Sequence, residues 1–265
     1  MRKWQPTLLI RGSLLLHLLA LIAVIAAPTE WRLILAIVLA NHLLLTLVGV
    51  WPRSHWLGPN WTRLPTAATA RNEIALTIDD GPDPAVTPQV LDLLDSYQAQ
   101  ATFFCVGEKA ARYPDLCREI VRRGHTVENH SQHHSYYFAL MGLSGFAREL
   151  QAAQHTLTSI TGQSPKFFRA PAGIRSPLLE PVLARLGLQL VSWSARGFDT
   201  RISDVTKVKN SLLHGLRPGA ILLVHDGNAA RSSKGTPVIL EVLPFILSAA
   251  RATNLRLVTL RQALA

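Results

Sequence analysis

The stretch Glu73–Pro82, E-I-A-L-T-I-D-D-G-P, decides the fold class of this 265-residue chain. Its apolar first half, bounded by Gly81-Pro82, is typical of a buried β-strand. Two carboxylates follow at once, Asp79 and Asp80, and adjacent carboxylates repel each other unless a cation lies near them. A turn or a helix cap explains one aspartate but not both, so the pair also indicates a metal site.

Strand-like segments alternate with helical patterns through the rest of the chain. We expect strands at 73–78, 101–106, 125–128, 167–169, 189–193, 220–224 and 255–258, and helices at 86–97, 109–123, 146–161, 177–186, 205–216 and 238–251. Repeated strand–helix units require parallel strands joined by crossover helices. The pattern predicts an α/β fold, a distorted (β/α) barrel of about seven parallel strands. No glycine-rich dinucleotide loop follows the first strand, which disfavours a doubly wound sheet.

Polar residues follow several of these strands, at the end of a barrel where chemistry is expected. His130 and His134 come after the third strand and are four residues apart, so we expect them on one side of a helical turn. With Asp80 they form a two-imidazole, one-carboxylate set, which leaves metal positions open for water and substrate. We interpret the neighbouring His133 as polar surface.

Three further strand ends carry Arg169, Asp199 and His225. Each of these residues, taken alone, is more typical of a surface or capping position. Five strand ends with polar residues nevertheless predict one active site at a common rim.

The N-terminal fifty residues hold most of the excess hydrophobicity. Two apolar runs, 8–27 and 33–50, are separated by Pro28-Thr29-Glu30, and five of the six tryptophans lie at or just beyond their ends. Each run is close to the roughly 20 residues that cross a bilayer, and tryptophan favours the membrane interface. The pattern predicts a two-helix transmembrane hairpin, with His17 opposite His42. Buried helices, or a signal peptide for the first run, are the alternatives.

The expected domains are a membrane hairpin at 1–52, a linker at 53–71 and a catalytic domain at 72–265. The net charge of +10 divides into +6 over residues 1–71 and +4 over the remainder. Basic residues flank the outer ends of the hairpin, which predicts a multi-pass protein of the cell (inner) membrane with a cytoplasmic catalytic domain. The periplasmic or external side remains open. The net positive charge suits anionic lipid or pyrophosphate-linked substrates. The chain has no basic cluster interleaved with aromatic residues, so nucleic acid is not an expected partner.

With these motifs in order, T-I-D-D-G-P, N-H-S-x-x-H, R-A-P, the loop aspartate and L-V-H, residues 74–260 resemble the polysaccharide deacetylases with NodB homology, carbohydrate esterase family 4. The resemblance implies a role for seven residues: the metal ligands Asp80, His130 and His134, the catalytic base Asp79, the general acid His225, Arg169, which orients the base, and Asp199, which tunes His225 or Arg169. Zinc is the expected divalent ion, with cobalt, iron or manganese as alternatives.

The chain departs from the family pattern at two places. Ala172 stands where many members have a tyrosine; its backbone N–H is still expected to serve the oxyanion, but an aromatic wall for the sugar is missing. The usual Asp-Trp pair is also absent around Asp199, and Phe198 or Trp193 is expected to supply the apolar cover.

The resemblance implies a metal-dependent hydrolase that removes an N-acyl group, expected to be acetyl, from an amino sugar of a polysaccharide or a lipid-linked glycan. A deformylase of a lipid-linked amino sugar at the cytoplasmic leaflet is the main alternative. A catalytically dead, membrane-tethered carbohydrate-binding module is a third, although no expected ligand or base is missing. The oligomeric state is left open.

Overall fold

The computed structural model describes residues 3–265, so Arg2, one of the basic residues before the predicted hairpin, lies outside the described residues. The strands are β1 Glu73–Asp79, β2 Ala101–Cys105, β3 Thr126–Asn129, β4 Phe167–Phe168, β5 Gln189–Leu190, β6 Ala195–Arg196, β7 Ile221–His225 and β8 Arg256–Leu257. Seven of them form one parallel sheet in the order β5-β4-β3-β2-β1-β7-β6, and β8 pairs with the start of β1. The sheet curls into a half-barrel, which confirms the predicted fold class.

Helices surround this sheet and precede it. The α-helices are α1 Leu8–Ala26, α2 Trp31–Gly49, α3 Thr66–Ala70, α4 Thr87–Ser96, α5 Gly107–Arg112, α6 Pro114–Arg122, α7 Leu143–Thr161, α8 Leu179–Leu186, α9 Val205–His214 and α10 Val238–Ala252. Short 3₁₀ turns lie at Pro28–Glu30, Phe138–Leu140, Pro171–Gly173 and Gln262–Leu264.

The predicted elements differ from the observed ones in two places. The helix expected at 109–123 is divided into α5 and α6 at Pro114, because proline lacks the N–H of an interior helical residue and disfavours helical geometry at Tyr113. The strand expected at 189–193 ends at Leu190, and β6 begins separately at Ala195.

Strand β1 is buried along its whole length and directs its side chains alternately to the two faces of the sheet. Ile74, Leu76 and Ile78 pack in the core cluster that includes α4, α9 and α10. Ala75 packs on the other face, where Thr77 donates a hydrogen bond to the carbonyl of Leu222 over 2.7 Å. The same alternation brings Asp79 to the inner face at the carboxyl end of the strand.

Helices α1 and α2 form a hairpin whose apolar side chains are mostly exposed. Each has 19 residues, a length of about 28 Å, which is close to the thickness of a bilayer core. His17 and His42 approach within 3.2 Å through their Nε2 atoms, which confirms their predicted pairing, and Asn41 donates to Ser13. By length and composition both helices are able to cross a membrane, a test that a signal sequence near the N-terminus also passes.

Residues 53–71, expected as a linker, are packed against the sheet. The N–H of Trp61 donates to the carbonyl of Leu190, and the N–H of Ser192 donates to the carbonyl of Trp61. Arg63 forms an isolated bridge with Ala220. Prolines disfavour regular helix or strand up to Pro65, where the backbone polar groups find partners on the neighbouring strands, and α3 follows at Thr66–Ala70.

Candidate active site

The carboxyl ends of the strands surround a cleft of about 630 Å³. Eight of the ten predicted site residues line it: Asp79, Asp80, His130, His134, Ala172, Trp193, Phe198 and His225. The other two, Arg169 and Asp199, lie directly behind it and are hydrogen-bonded to Asp79 and His225 respectively. The expectation that polar strand ends meet at one rim is therefore met by the geometry.

Asp80, His130 and His134 form a compact cluster in which their candidate ligand atoms all lie within 4.8 Å of one another. The Nε2 atoms of His130 and His134 are 3.2 and 3.1 Å from Oδ1 of Asp80. Burial opposes ionisation of Asp80, but close contacts with the imidazoles of His130 and His134 outweigh it and hold the pKa of this carboxyl far below the ordinary value. Two imidazole nitrogens and one carboxylate form a donor set that fits zinc and leaves coordination positions open.

The ring of His130 is oriented from behind the cluster. Its Nδ1 lies 2.8 Å from the carbonyl oxygen of Arg169, and because a carbonyl only accepts, Nδ1 carries the proton. The lone pair on Nε2 is consequently directed at the cluster. An outer hydrogen bond of this kind is the usual way in which proteins fix a metal-binding histidine.

The two histidines are not on a helical turn, contrary to the expectation from their spacing. Residues 130–134 form a loop in which Ser131 and His134 have left-handed φ angles of 66° and 50°. Asn129 accepts from the N–H of Ser131 through its side chain, and Ser131 Oγ accepts from the N–H of His134. These bonds close the loop and bring the rings to a centroid distance of 4.9 Å. His133 points elsewhere, to Glu149 at 2.7 Å.

Arg169 holds the buried carboxylate of Asp79. Its Nη1 donates to Asp79 Oδ1 over 2.7 Å, while Nη2 and Nε donate to the carbonyls of Ser192 and Val191. The guanidinium also lies over the ring of Phe104, with a 4.2 Å separation from the centroid. Its position is thus determined on several sides, and the second oxygen of Asp79 remains available near the metal-binding cluster, 3.9 Å from His130 Nε2.

His225 is paired with Asp199, a fully buried carboxylate. One oxygen of Asp199 accepts from the backbone N–H of His225 over 2.7 Å and the other from Nδ1 over 2.9 Å. Burial alone would lower the pKa of His225, but the hydrogen bond and negative charge of Asp199 outweigh it, so the pKa is raised. Of the two partners considered for Asp199, the carboxylate is hydrogen-bonded to His225.

The predicted substrate walls differ in character. Trp193 is nearly buried, whereas Phe198 is half exposed with a left-handed φ of 57°. Ala172 also has a left-handed φ, 55°, and faces the cleft from the 3₁₀ turn after β4. Both aromatic rings contact the guanidinium of Arg196, at 5.0 and 4.4 Å from the centroids of Trp193 and Phe198.

Several groups beside the cleft were missed in the sequence. Asn228 donates to Asp80 Oδ2 over 3.2 Å, and Lys109 donates to the Asp80 carbonyl over 2.8 Å. Asp226 is buried behind them, where desolvation raises its pKa to about 7, and it accepts from Thr87. Asp226 could have been suspected from the sequence, because it directly follows His225. The contacts of Asn228 and Lys109 could not, because they depend on loop geometry.

Comparisons with known proteins give the same assignment as the motifs. The polysaccharide deacetylase family model matches residues 66–191. A chitooligosaccharide deacetylase of Azorhizobium caulinodans is 38% identical over 160 residues, covering 59% of this chain and 75% of the relative.

Two solved structures share the fold. The Bc1960 peptidoglycan N-acetylglucosamine deacetylase superposes with a TM-score of 0.69 at 26% identity, covering 77% of this chain and 92% of the other. A family 4 carbohydrate esterase from Streptomyces lividans gives a TM-score of 0.63 at 28% identity, covering 70% and 91%.

The parallel half-barrel with its acidic and imidazole rim defines a hydrolase class. The chain belongs to the polysaccharide deacetylase family. It is a hydrolase of the amino-sugar N-deacetylase type, in a family whose members generally depend on a divalent metal ion.

Proposed function

We propose that this chain is a membrane-held, metal-dependent deacetylase that hydrolyses the N-acetyl group of an amino sugar in a polysaccharide or a lipid-linked glycan. The observation that carries the proposal is the Asp80, His130 and His134 cluster, which lies in one cleft with Asp79 and His225. The relatives named for chitooligosaccharide and peptidoglycan N-acetylglucosamine support an N-acetylglucosamine unit as the substrate.

Asp80, His130 and His134 would hold the divalent ion, with zinc first and cobalt, iron or manganese as alternatives. When bound, the ion supplies Lewis-acid polarisation of the acyl carbonyl and makes the attacking water more acidic. A water between the carboxylate of Asp79 and the carbonyl carbon then gives its proton to Asp79. Arg169 keeps the other Asp79 oxygen in place during this transfer.

The remaining residues act on the oxyanion and the leaving group. The backbone N–H of Ala172 is suited to donate to the developing oxyanion from the edge of the cleft. His225, kept protonated by Asp199, donates its Nε2 proton to the leaving amine, because an amine departs readily only after protonation. Trp193 and Phe198 form apolar walls for the sugar ring.

The hairpin is proposed to anchor the enzyme in the cell membrane, with residues 53–71 as the connection to the catalytic domain at 72–265. Exposed apolar surface on both helices would otherwise be unfavourable in water. The catalytic domain packs at the outer ends of the hairpin, beside Lys3 and Arg11, and this charge bias favours the cytoplasmic side.

A second candidate is deformylation of a lipid-linked amino sugar at that leaflet. It is favoured by one contact, the presence of Val50, at the end of α2, in the wall of the cleft. The two candidates use the same residues; they differ in the acyl group, and the second is restricted to a lipid-linked sugar.

The test separates metal binding from catalysis in three variants of the full chain. Asp79→Asn should keep its metal but lose about 10²-fold or more in acetate release from chitooligosaccharide, because it removes only the base. His130→Ala should lose metal affinity as well as activity. His133→Ala is the matched control, since His133 contacts Glu149 outside the cluster.

Metal content is measured by mass spectrometry on each purified variant, and acetate release is followed with and without added zinc. Equal metal content in Asp79→Asn and His130→Ala, with equal loss of activity, would contradict the proposed division of roles. Loss of metal in His133→Ala would show that the metal ligands have been assigned incorrectly.

A further inference from the structure

Arg196 is a cation in the cleft to which the proposed chemistry gives no role. It is the last residue of β6 and lines the same cleft as Asp79 and His225. Its Nε is buried and has no hydrogen-bond acceptor among residues 3–265. Buried donors are nearly always satisfied, so this one is suited to a partner that arrives with the substrate.

The two carboxylates whose charges act most strongly on Arg196, Asp199 and Asp79, already have hydrogen-bond partners. Asp199 uses both of its oxygens on His225, and Asp79 is held by Arg169. Burial lowers the pKa of Arg196, and the charge of Arg201 lowers it further, although nearby carboxylates act in the opposite sense. Two arginines that line one cleft repel each other, and a bound anion offsets that repulsion.

The guanidinium of Arg196 is positioned before any ligand arrives. It is stacked against the rings of Trp193 and Phe198, and stacking of this kind restricts a long side chain without using its N–H donors. Arg201 is exposed and also lines the cleft. Together they place a positive edge next to the proposed sugar walls.

The end of the hairpin borders the same cleft. Val50 lines it, and the preceding Gly49 accepts a hydrogen bond from the N–H of Arg175 over 3.0 Å. A Cβ at Gly49 would lie only 2.4 Å from the Arg175 carbonyl oxygen, so the two backbones are in close contact. A substrate whose anionic group links the sugar to a membrane lipid would therefore have that group near the arginines.

We propose that the cleft binds an amino sugar bearing an anionic group, and that Arg196, assisted by Arg201, binds that group. The inference rests on the proposed deacetylase function and deepens it by naming the substrate class. The anion is a phosphate ester of a lipid-linked sugar or the carboxylate of a sugar acid in a polymer. Both present oxygens that match the donors of a guanidinium.

The experiment compares full-chain enzyme in detergent, loaded with zinc, on four N-acetylated substrates: the methyl glycoside of N-acetylglucosamine, its 1-phosphate, its polyprenyl diphosphate and an N-acetylated aminouronic acid oligomer. Arg196→Met keeps the apolar stem and removes the charge, and Arg196→Lys keeps the charge without the planar donors. Arg217→Met is the matched control, because Arg217 is exposed and precedes β7 at the opposite end of the sheet.

Wild type should prefer an anionic substrate, and Arg196→Met should lose about tenfold or more in kcat/KM for it, through KM. The neutral glycoside should change by less than about twofold, and Arg196→Lys should recover part of the loss. The substrate that shows this pattern, polyprenyl diphosphate or uronic acid oligomer, identifies the source of the anion. Equal losses on neutral and anionic substrates, or a wild type that prefers the neutral glycoside, would overturn the inference.

A binding measurement keeps this result separate from the proposed reaction. Metal-free wild type and Arg196→Met are titrated calorimetrically with glucosamine 1-phosphate, which has no acyl group to hydrolyse. Binding that Arg196→Met abolishes supports the anion site even if no substrate is deacetylated, an outcome that would reject the deacetylase proposal alone. Equal binding by both proteins would reject the anion site.

Discussion

Replacing Asp199 by asparagine should convert His225 from a proton donor into a group that is neutral at physiological pH. The carboxylate accepts two hydrogen bonds, from the His225 backbone N–H at 2.7 Å and from Nδ1 at 2.9 Å. Asparagine has one acceptor oxygen and one donor nitrogen. The backbone N–H always requires the acceptor, so the amide nitrogen of the variant faces Nδ1.

That arrangement disfavours the imidazolium, in which Nδ1 would carry a proton directed at another donor. Without Asp199, burial is opposed only by the weaker effects of the Asp79 and Asp80 charges, so the pKa of His225 falls. A general acid must be protonated to act, so the alkaline limb of the rate profile moves to lower pH. At neutral pH, kcat/KM should fall by about 10²–10⁴-fold, the contribution typical of an oriented acid–base group.

The assay is the pH profile of kcat/KM for acetate release by the zinc-loaded enzyme. Asp115→Asn serves as the control, because the side chain of Asp115 is 94% exposed on α6, outside the cleft. It should reproduce the wild-type profile. The reasoning is refuted if Asp199→Asn loses activity by the same factor at every pH, with its alkaline limb unmoved, while metal content and fold are unchanged.

Two further outcomes concern the rest of the chain. The buried ring of His125 has its pKa lowered to about 4 by desolvation, from 6.5. Between these two values the unfolded chain binds a proton that the folded protein does not, so the free energy of unfolding falls as the pH decreases from about 6.5 towards 4. In urea unfolding, His125→Gln should therefore lose about 2–3 kcal/mol less of this free energy than wild type between pH 7 and 4.5. An equal pH dependence would contradict this assignment. The full chain should resist alkaline extraction from membranes. A green fluorescent reporter fused to its C-terminus should fluoresce, as expected for a cytoplasmic catalytic domain. An active periplasmic phosphatase fused at the same place would show that the orientation is the opposite one.

The fold was predictable because its signals are local. Strand β1 is buried on both faces, and its residues 74–78 are apolar except for Thr77, directly before Asp79. The order of strands and helices then follows from handedness and connection rules. The boundary at Leu190 was less predictable, because β5 is only two residues long and its neighbours pair with Trp61, more than a hundred residues earlier.

The site was predictable as a set of residues but not as a shape. Left-handed φ angles occur at Asp80, Ser131, His134, Ala172 and Phe198, all in loops around the cleft. None of these is glycine, so local sequence carries little signal of the turn, and tertiary contacts must hold each strained residue. The prediction that His130 and His134 lie on a helical turn was wrong for this reason. Arg196 was missed because its candidate role depends on contacts with the rings of Trp193 and Phe198 and on an Nε without a hydrogen-bond acceptor among residues 3–265, none of which can be read from the sequence.

The contact between Gly49 and Arg175 joins the end of the hairpin directly to the catalytic domain beside the cleft. If the hairpin is inserted, the distance of the active site from the bilayer is set by chain geometry and does not vary with a flexible tether. Encounters with a membrane-borne substrate then occur by lateral diffusion in two dimensions. Turnover would follow the mole fraction of that substrate in the bilayer and would fall when inert lipid is added at constant bulk concentration.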